Sequence, residues 1–295
     1  MVTSKGVLVF ARNNAQIDYC KQAYALAKRA RKFLDVPTSI VTDSTEFLLN
    51  EYPDAEQVFD KIISIVWKEE DLAENTTLSK TENHALRTFY DGTLIEKKLH
   101  FKNETRTLAY ELSPYDETLV LDTDVVICNS TLKKCFDRTH DFLIYRTSYD
   151  LANNDRSTDF ERISDTSVDF YWATCVFFRK TQLNEIFFNL IKHVQEFYTH
   201  YRKVYNIVTT TYRNDFAFSI AIHIINGFKK GDFAKRMPGK LFFTADRDIL
   251  HSIDGDKFTF LLQCAGSLDK YSPCKFQGNS VHVMNKYTLE DNLNA

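Results

Sequence analysis

The sequence predicts an α/β fold: a mostly parallel central sheet flanked by helices, with a small antiparallel portion near the C terminus. Three observations predict it. Short apolar runs alternate with segments of helical periodicity in the N-terminal part of the chain. A later apolar run, residues 118–121, has the composition of a buried central strand. Near the C terminus, Asp254-Gly255 separates two strand-like runs, which is the pattern of a β-hairpin.

The N-terminal part is predicted to be a β-α unit followed by two more strands. Residues 6–11 form a continuous apolar run, and apolar side chains recur at helical spacing through residues 17–34. Further short strands are predicted at residues 39–42, which end at Asp43, and at 61–65. Ligands of parallel sheets bind at the carboxyl ends of the strands, so the residues that follow these strands are candidate contacts.

The same periodicities predict the rest of the chain. The expected elements are a helix at 105–112, an aromatic strand at 170–178, a helix at 183–205 with an apolar stripe through Ile186, Leu190, Val194, Phe197 and Tyr201, a helix at 215–228 capped by Asn214 or Asp215, and a hairpin of residues 249–253 and 257–262. No Gly/Ser-rich linker marks a domain boundary, and residues 1–295 are enough for either one large α/β domain or two small ones.

The composition argues against several classes of protein. A formal net charge of -3 argues against nucleic-acid binding over a broad basic surface, although a local basic patch is compatible with it. The apolar stretch that follows Gly6 is far too short for a secretion signal or a membrane span, so we expect a cytoplasmic protein. Six cysteines include no C-x-x-C pair, which indicates neither a zinc site nor a disulfide framework.

The strongest candidate for chemistry is the pair Asp122-x-Asp124. Two carboxylates two positions apart on a straight strand point to opposite faces, and they converge only if the strand ends there. The apolar run before Asp122 fits a buried strand that emerges at this point. Hard oxygen ligands suit Mg²⁺ or Mn²⁺ and the phosphates that such ions bind. The alternative is that the two aspartates simply turn the chain.

Two other D-x-D triplets provide a comparison. Asp246-Arg247-Asp248 and Asp254-Gly255-Asp256 are both interpreted as lacking a preceding buried strand. The second contains an Asp-Gly turn, which predicts a solvated hairpin. Context therefore singles out Asp122 and Asp124.

The segment around Asp122 resembles the D-x-D region of GT-A fold glycosyltransferases, nearest to the glycogenin and galactosyltransferase-like (family 8-like) group. The matching residues are 119–126 with the trailing Leu132 and Phe136. The family's other landmarks have counterparts in a similar order along the chain: Arg12-Asn13-Asn14, Arg106, Trp172 and His282. The resemblance implies one GT-A-type, Rossmann-like domain, with a nucleotide-binding half at about 1–127 and an acceptor-binding half with the C-terminal metal segment at about 128–295.

The resemblance also implies further site residues. His282 would complete the metal shell with Asp122 and Asp124, and Lys286 would contact the diphosphate. The family's H-x-x-G-x-x-K-P-W is replaced here by His282-x-x-x-Lys286. The chemistry is sensible, because neutral imidazole binds metal and an ammonium offsets phosphate charge. A structural role for a histidine near the terminus is the alternative.

Sugar and nucleotide contacts are predicted with less specific patterns. Asp215 would act as a base or orient sugar hydroxyls, and its alternative is a helix cap. Asn214, Trp172 and Thr174, with Asp169 before them, would line the sugar or acceptor pocket, although an aromatic strand is also typical of core. The predicted nucleotide and diphosphate contacts are Phe10, Arg12, Asn13, Asp43, Arg106, Thr123 and Lys286. A solvated turn is the alternative for Asn13, and a surface ion pair for Arg106.

The expected activity is metal-dependent transfer of a sugar from a nucleoside-diphosphate sugar to an unidentified hydroxyl acceptor, with Mn²⁺ or Mg²⁺ as cofactor. A UDP-sugar is the first expectation for the donor. One alternative is a nucleotidyltransferase, which needs a Gly-rich phosphate loop where this chain has Ala11-Arg12-Asn13-Asn14. The other is a binding module for nucleotide sugars that has no turnover.

Overall fold

A computed structural model gives the structure of the chain. It describes residues 4–14, 16–65, 86–90, 96–100, 104–165, 168–209 and 211–293. Within these ranges, none of the helices combines the length and the apolar character needed to cross a membrane.

The described residues form sixteen strands and eight α-helices. The strands are β1 (Lys5–Ala11), β2 (Thr38–Thr42), β3 (Ile62–Ser64), β4 (Leu86–Tyr90), β5 (Glu96–His100), β6 (Glu117–Leu121), β7 (Val125–Val126), β8 (Phe142–Tyr145), β9 (Ser148–Tyr149), β10 (Trp172–Arg179), β11 (Lys235–Arg236), β12 (Leu241–Phe243), β13 (Ile249–Asp254), β14 (Lys257–Gln263), β15 (Tyr271–Gln277) and β16 (Val281–His282). The helices are α1 (Tyr19–Leu34), α2 (Thr45–Glu51), α3 (Ala55–Val58), α4 (Ala109–Leu112), α5 (Gln182–Glu196), α6 (Tyr198–Val204), α7 (Asn214–Ile225) and α8 (Lys286–Asn292). Short 3₁₀ segments lie at Glu104–Leu108, Thr131–Cys135 and Ser157–Phe160.

The central sheet has seven strands in the order β11-β8-β10-β6-β1-β2-β3. Strands β6, β1, β2 and β3 run parallel, β11 is parallel to β8, and β10 is antiparallel to both of its neighbours. Val7, Leu8 and Val9 of β1 are fully buried, because a strand covered on both sides buries both faces. The core lies where α1 packs on β1 and where α5 and α7 pack together beside β10. The predicted fold class is confirmed.

A small second sheet, β7-β16-β12-β9, brings distant parts of the chain to the end of β6. The chain leaves β6 at Leu121, turns, and enters β7, which pairs antiparallel with β16. The backbone N–H of Val283 donates to the carbonyl of Asp124 at 2.9 Å. His282, 158 positions further along the chain, is therefore held beside Asp124.

The predicted C-terminal hairpin is confirmed and is part of a three-stranded antiparallel sheet, β13-β14-β15. Its turn contains Gly255 with φ of +62°, a left-handed conformation that costs glycine little. Helix α8, whose first residue is Lys286, packs against β13 of this sheet. The expected small antiparallel portion is this sheet.

The predicted helix at 183–205 is two helices, α5 and α6, which are separated at Phe197. Its buried face also differs from the predicted apolar stripe: Ile186 is 53% exposed, whereas Phe187 and Phe188 are buried. The sequence offers two overlapping apolar stripes, and the one with two phenylalanines buries more apolar area against α7 and β10. The stripe prediction was therefore wrong at Ile186 and Phe197, which are exposed, and right at Val194, which is buried.

Two helix starts also differ from the predictions. Helix α7 has Arg213 at its N-cap and no side-chain cap, so neither Asn214 nor Asp215 caps it. The side chain of Asp215 instead bonds other groups, which makes it unavailable as a cap. The segment expected as a helix at 105–112 begins as 3₁₀ helix and becomes α-helical only at Ala109.

Candidate active site

A cleft of about 450 Å³ opens where β1 and β6 end. Most of the residues predicted as site residues line it. These are Phe10, Arg12, Arg106, Asp122, Thr123, Asp124, Trp172, Thr174, Asn214, Asp215, His282 and Lys286. Asn13 and Asp43 are not among its lining residues.

Asp122, Asp124 and His282 converge on one wall of this cleft. Each offers a ligand atom, and the three atoms lie within 4.8 Å of one another. The turn after β6 makes this possible: the N–H of Asp122 donates to Thr174 at 3.0 Å, and the N–H of Val125 donates back to Asp122 at 3.1 Å. Asp124 is almost fully buried and lies 3.1 Å from Nε2 of His282.

Two buried cations neutralise the two carboxylates. The Lys286 ammonium donates to Asp124, and the Arg106 guanidinium pairs with Asp122 and donates to the carbonyl of Ala173. Burial alone would raise the pKa of Asp124, but His282 and Lys286 outweigh it and hold that pKa well below its usual value. Burial lowers the pKa of Arg106 against the opposing effect of the carboxylates, and the guanidinium stays charged.

The donor set fits a divalent cation. Carboxylate oxygens with one imidazole nitrogen are ligands that Mg²⁺ and Mn²⁺ accept. When each ligand atom lies about 2.1 Å from such an ion, two ligand atoms lie at most about 4.2 Å apart. Small side-chain movements would therefore bring the three ligand atoms, which lie within 4.8 Å of one another, around an ion. The Nδ1 atom of His282 is buried and has no hydrogen-bond partner among the residues that the structure describes. The imidazole is therefore anchored through Nε2 alone.

Arg12 lies beside this wall at the end of β1. Its guanidinium pairs with Asp43 and with Glu104, both at 3.1 Å, and its side chain is 9% exposed. Asp43 thus holds Arg12 in place from outside the cleft. The side chain of Asn13 accepts from the N–H of Cys20 at 3.0 Å, which fixes the start of α1.

Asp215 is held on both carboxylate oxygens. Oδ1 accepts from the backbone N–H of Ala173 at 2.9 Å, and Oδ2 accepts from the guanidinium of Arg213 at 2.7 Å. These bonds fix the direction of the carboxylate and tie the start of α7 to β10. The Oδ1 atom of the adjacent Asn214 accepts from the hydroxyl of Tyr212 at 3.1 Å.

Trp172 belongs to an aromatic cluster as well as to the cleft wall. Its ring lies 4.9 Å from Phe160 and 5.2 Å from Phe170 between centroids, and it is 3% exposed. Its indole N–H is buried without a partner in the described part of the chain. Asp169 does not line this cleft; it pairs with Arg146 at 2.7 Å on another surface.

The sequence predictions missed several lining residues. Asp246 is the clearest case, because its triplet was interpreted as lacking a preceding strand, whereas β12 ends three residues before it. Asp248 of the same triplet is buried and accepts from the N–H of Ala245 at 2.7 Å. The apolar run of β12 is the sequence signal that indicates a strand before Asp246. The other missed residues are Tyr19, Thr105, Ala173, Thr209, Thr211, Tyr212, Arg213 and Met284.

No family model matches the chain, and no curated protein matches it. Several solved structures do. The glycosyltransferase GlyE of Streptococcus pneumoniae TIGR4 is 11% identical with a TM-score of 0.44, over 79% of this chain and 45% of that one. The galactosyltransferase LgtC, in complex with donor and acceptor sugar analogs, is 13% identical with a TM-score of 0.43, over 78% of this chain and 72% of that one. Mouse xyloside xylosyltransferase 1 is 10% identical with a TM-score of 0.41, over 79% and 85%.

These three structures are of glycosyltransferases, the class of protein that the sequence resembles. The match spans less than half the length of GlyE. At identities of 10 to 13% and TM-scores of 0.41 to 0.44, the likeness carries no activity over to this chain. Its own residues have to support a function.

Proposed function

We propose that the chain is a glycosyltransferase that moves a sugar from a nucleoside-diphosphate sugar, a UDP-sugar first of all, to a hydroxyl acceptor with the help of Mn²⁺ or Mg²⁺. The observation that carries the proposal is the convergence of Asp122, Asp124 and His282 within 4.8 Å on the wall of a large cleft. A metal–diphosphate complex needs ligands for the ion and positive groups for the phosphate oxygens. The same wall offers both, because Arg106 and Lys286 adjoin the acidic pair.

The position and size of the cleft support a nucleotide-sugar donor. In the strand order, the chain proceeds from β1 to β2 and β3 on one side and later to β6 on the other. Such a switch point is where open parallel sheets bind nucleotides. A volume of about 450 Å³ suits a ligand of this class. In this proposal residues 1–127 bind the nucleotide and residues 128–295 carry the acceptor side and the last metal ligand, within one domain.

Each residue has a distinct task in the proposed reaction. Asp122, Asp124 and His282 would hold the ion, which stabilises charge on the departing diphosphate. Arg106 and Lys286 would bind phosphate oxygens in a cleft where little water screens them. Asp215, with its direction fixed, would orient the sugar hydroxyls or accept the acceptor's proton. The remaining predicted contacts, Phe10, Arg12, Thr123, Trp172, Thr174 and Asn214, would line the donor and acceptor.

The test is release of UDP from UDP-sugars with Mn²⁺, compared between the parent, Asp124→Asn and His282→Ala. We expect each variant to lose at least about a hundredfold of the metal-stimulated rate, because each removes an ion ligand. The matched control is Asp254→Asn, an exposed aspartate of the hairpin D-x-D, which should behave as the parent. Parent-like rates in both site variants would contradict the assigned metal site.

The same samples separate the alternatives. A binding module without turnover would be stabilised by UDP and Mn²⁺ in a thermal shift but would release no UDP. A nucleotidyltransferase would form pyrophosphate or consume it, instead of releasing UDP from the donor. Product analysis by chromatography therefore decides between the classes of protein.

A further inference from the structure

A second cleft of about 350 Å³ lies at the edge of the central sheet, beside β8, β11 and the C-terminal end of α7. Its charged lining is strongly basic. Five cationic side chains face one carboxylate, a local balance of +4 in a chain whose net charge is -3. The cations are Arg146, Lys229, Lys230, Lys235 and Arg236, and the carboxylate is that of Asp169.

Two of the five cations are paired with carboxylates. Asp169 pairs with Arg146 at 2.7 Å, and Lys235 pairs with the exposed Asp232 at 2.7 Å. Within the described residues, the side chains of Lys229 and Lys230 have no hydrogen bond or ion pair. A concave surface with an excess of one charge concentrates counter-ions of the opposite sign.

The loop that carries these lysines is fixed against the cleft. The Oδ1 atom of Asn226 accepts from the N–H of Phe233 at 3.3 Å and so closes the loop between them. A Cβ atom on Gly231 would lie 2.3 Å from the same Oδ1 atom, so any other residue there would displace the Asn226 side chain. Lys229 and Lys230 are therefore held at the cleft by a closed loop.

Phe228 forms an exposed aromatic rim. Its ring is 66% exposed, and its backbone has φ of +61°, a left-handed conformation that is costly for a bulky residue. The N–H of Phe228 donates to the carbonyl of His223 at 2.9 Å, and the two rings lie 5.8 Å apart between centroids. An apolar ring is thus kept in water, in an unfavourable backbone conformation, next to the uncompensated lysines.

We propose that this cleft is a second ligand site, which binds the phosphate group of a phosphorylated ligand of about sugar size. Lys229, Lys230 and Arg236 supply the positive groups for the phosphate, and Phe228 packs against the rest of the ligand. The volume of about 350 Å³ suits such a ligand and is too small for a nucleic-acid duplex. Helix α7 separates the two clefts, since Asp215 at its start lines the first and Asn226 at its end lines the second, roughly 16 Å apart. The inference does not depend on the proposed function.

Histidine ring resonances in NMR report on the two clefts separately, because His223 lines the second and His282 the first. The metal-free protein is titrated with inorganic phosphate and with glucose 6-phosphate, and the variants His223→Gln and His282→Gln assign the signals. We expect the His223 signal to shift and saturate with both probes. A shift of the His282 signal alone would place phosphate only in the first cleft and overturn the proposal. Failure of the proposed transferase activity leaves this result unaffected.

Charge-reversed variants test the contacts. Lys229→Glu with Lys230→Glu should weaken both probes at the His223 signal at least tenfold. The matched control, Lys257→Glu with Lys275→Glu on the exposed face of β14 and β15, changes the net charge equally and should bind as the parent. Equal weakening in both double variants would mean a general charge effect and refute the site.

Two further measurements test which kind of phosphate-bearing ligand the cleft binds. Phe228→Ala should weaken glucose 6-phosphate severalfold and leave inorganic phosphate unchanged. Equal effects on both probes would refute the aromatic contact. A short DNA duplex that shifted the His223 signal at lower concentration than glucose 6-phosphate would overturn the assignment to a small ligand.

Discussion

Replacing Lys286 by methionine should tighten the binding of Mn²⁺ to the nucleotide-free protein. The Lys286 ammonium bonds the Asp124 carboxylate, and the two side chains are only 5% and 4% exposed. A divalent cation bound at that carboxylate would compete with the ammonium for its negative charge. Methionine keeps a similar length and an apolar stem but carries no charge. The variant therefore removes the competitor without opening a large cavity.

The size of the effect follows from the charge pair. Unit charges 4 Å apart attract by about 4 kcal/mol at an effective dielectric constant of about 20. The cost of burying both charges offsets part of this attraction. We expect the free energy of Mn²⁺ binding to become more favourable by at least about 1.4 kcal/mol, which is a tenfold gain in affinity. UDP affinity should fall about tenfold, because a charge-assisted phosphate contact is lost.

Calorimetric titration of Mn²⁺, with and without UDP, measures both effects. Without metal, the variant should also have a lower Tm than the parent, since its buried carboxylate has lost a charged partner. Mn²⁺ should restore that Tm. The matched control is the double variant Asp124→Asn with Lys286→Met, which leaves no unpaired charge at these two positions and should gain neither affinity nor Tm from Mn²⁺. A folded Lys286→Met protein that bound Mn²⁺ no more tightly than the parent would refute the reasoning.

Two further predictions concern the fold. Gly6→Ala should lower the free energy of unfolding, measured by urea denaturation, by about 1–3 kcal/mol. The new Cβ would lie 2.4 Å from the ring of Tyr115, and that ring is held in place because its hydroxyl is bonded to Ser39 at 2.7 Å. A loss below about 0.5 kcal/mol would contradict this packing. Burial raises the pKa of Cys20 to about 12 and that of Cys128 to about 11 from the usual 9.0. The unfolded chain therefore loses these protons from about pH 9 while the folded chain keeps them, so the free energy of unfolding should fall as pH rises from 9 to 12. Unfolding curves across that range check it against a double Cys→Ser variant, which should show a shallower fall; identical slopes would contradict it.

The sequence predicted those elements whose hydrophobic pattern is compatible with only one arrangement of buried faces. Residues 7–11 of β1 and 119–121 of β6 are short continuous apolar runs, the pattern expected of a strand buried on both faces. The pattern of α5 is compatible with two buried faces, because Ile186 and Phe187 belong to adjacent stripes that are both apolar. Its partners α7 and β10 decide between them, and they lie far away in the sequence. Local periodicity carries no information about that choice.

The site divides in the same way. Asp122 and Asp124 could be predicted because a strand end and a two-residue spacing are local features. Arg213 could not, since its importance comes from a bond to Asp215 that matters only once α7 meets β10. The nucleotide contacts predicted for Asn13 and Asp43 stay predictions: the side chain of Asn13 accepts from the N–H of Cys20, and Asp43 pairs with Arg12. Asparagine is frequent both at ligand sites and at helix starts, so the residue type alone does not distinguish the two uses.

The charges of the cleft bear on the order in which its ligands bind. Asp122 and Asp124 are each matched by a buried cation, so the wall is close to neutral before any ligand arrives. A divalent cation alone would leave Arg106 and Lys286 facing uncompensated positive charge. A diphosphate alone would face both carboxylates. When the two arrive together, the ion takes the carboxylates and the phosphates take the released cations, so no buried charge remains unpaired. Under the proposed function, metal and nucleotide should therefore bind cooperatively, each strengthening the other to the same extent.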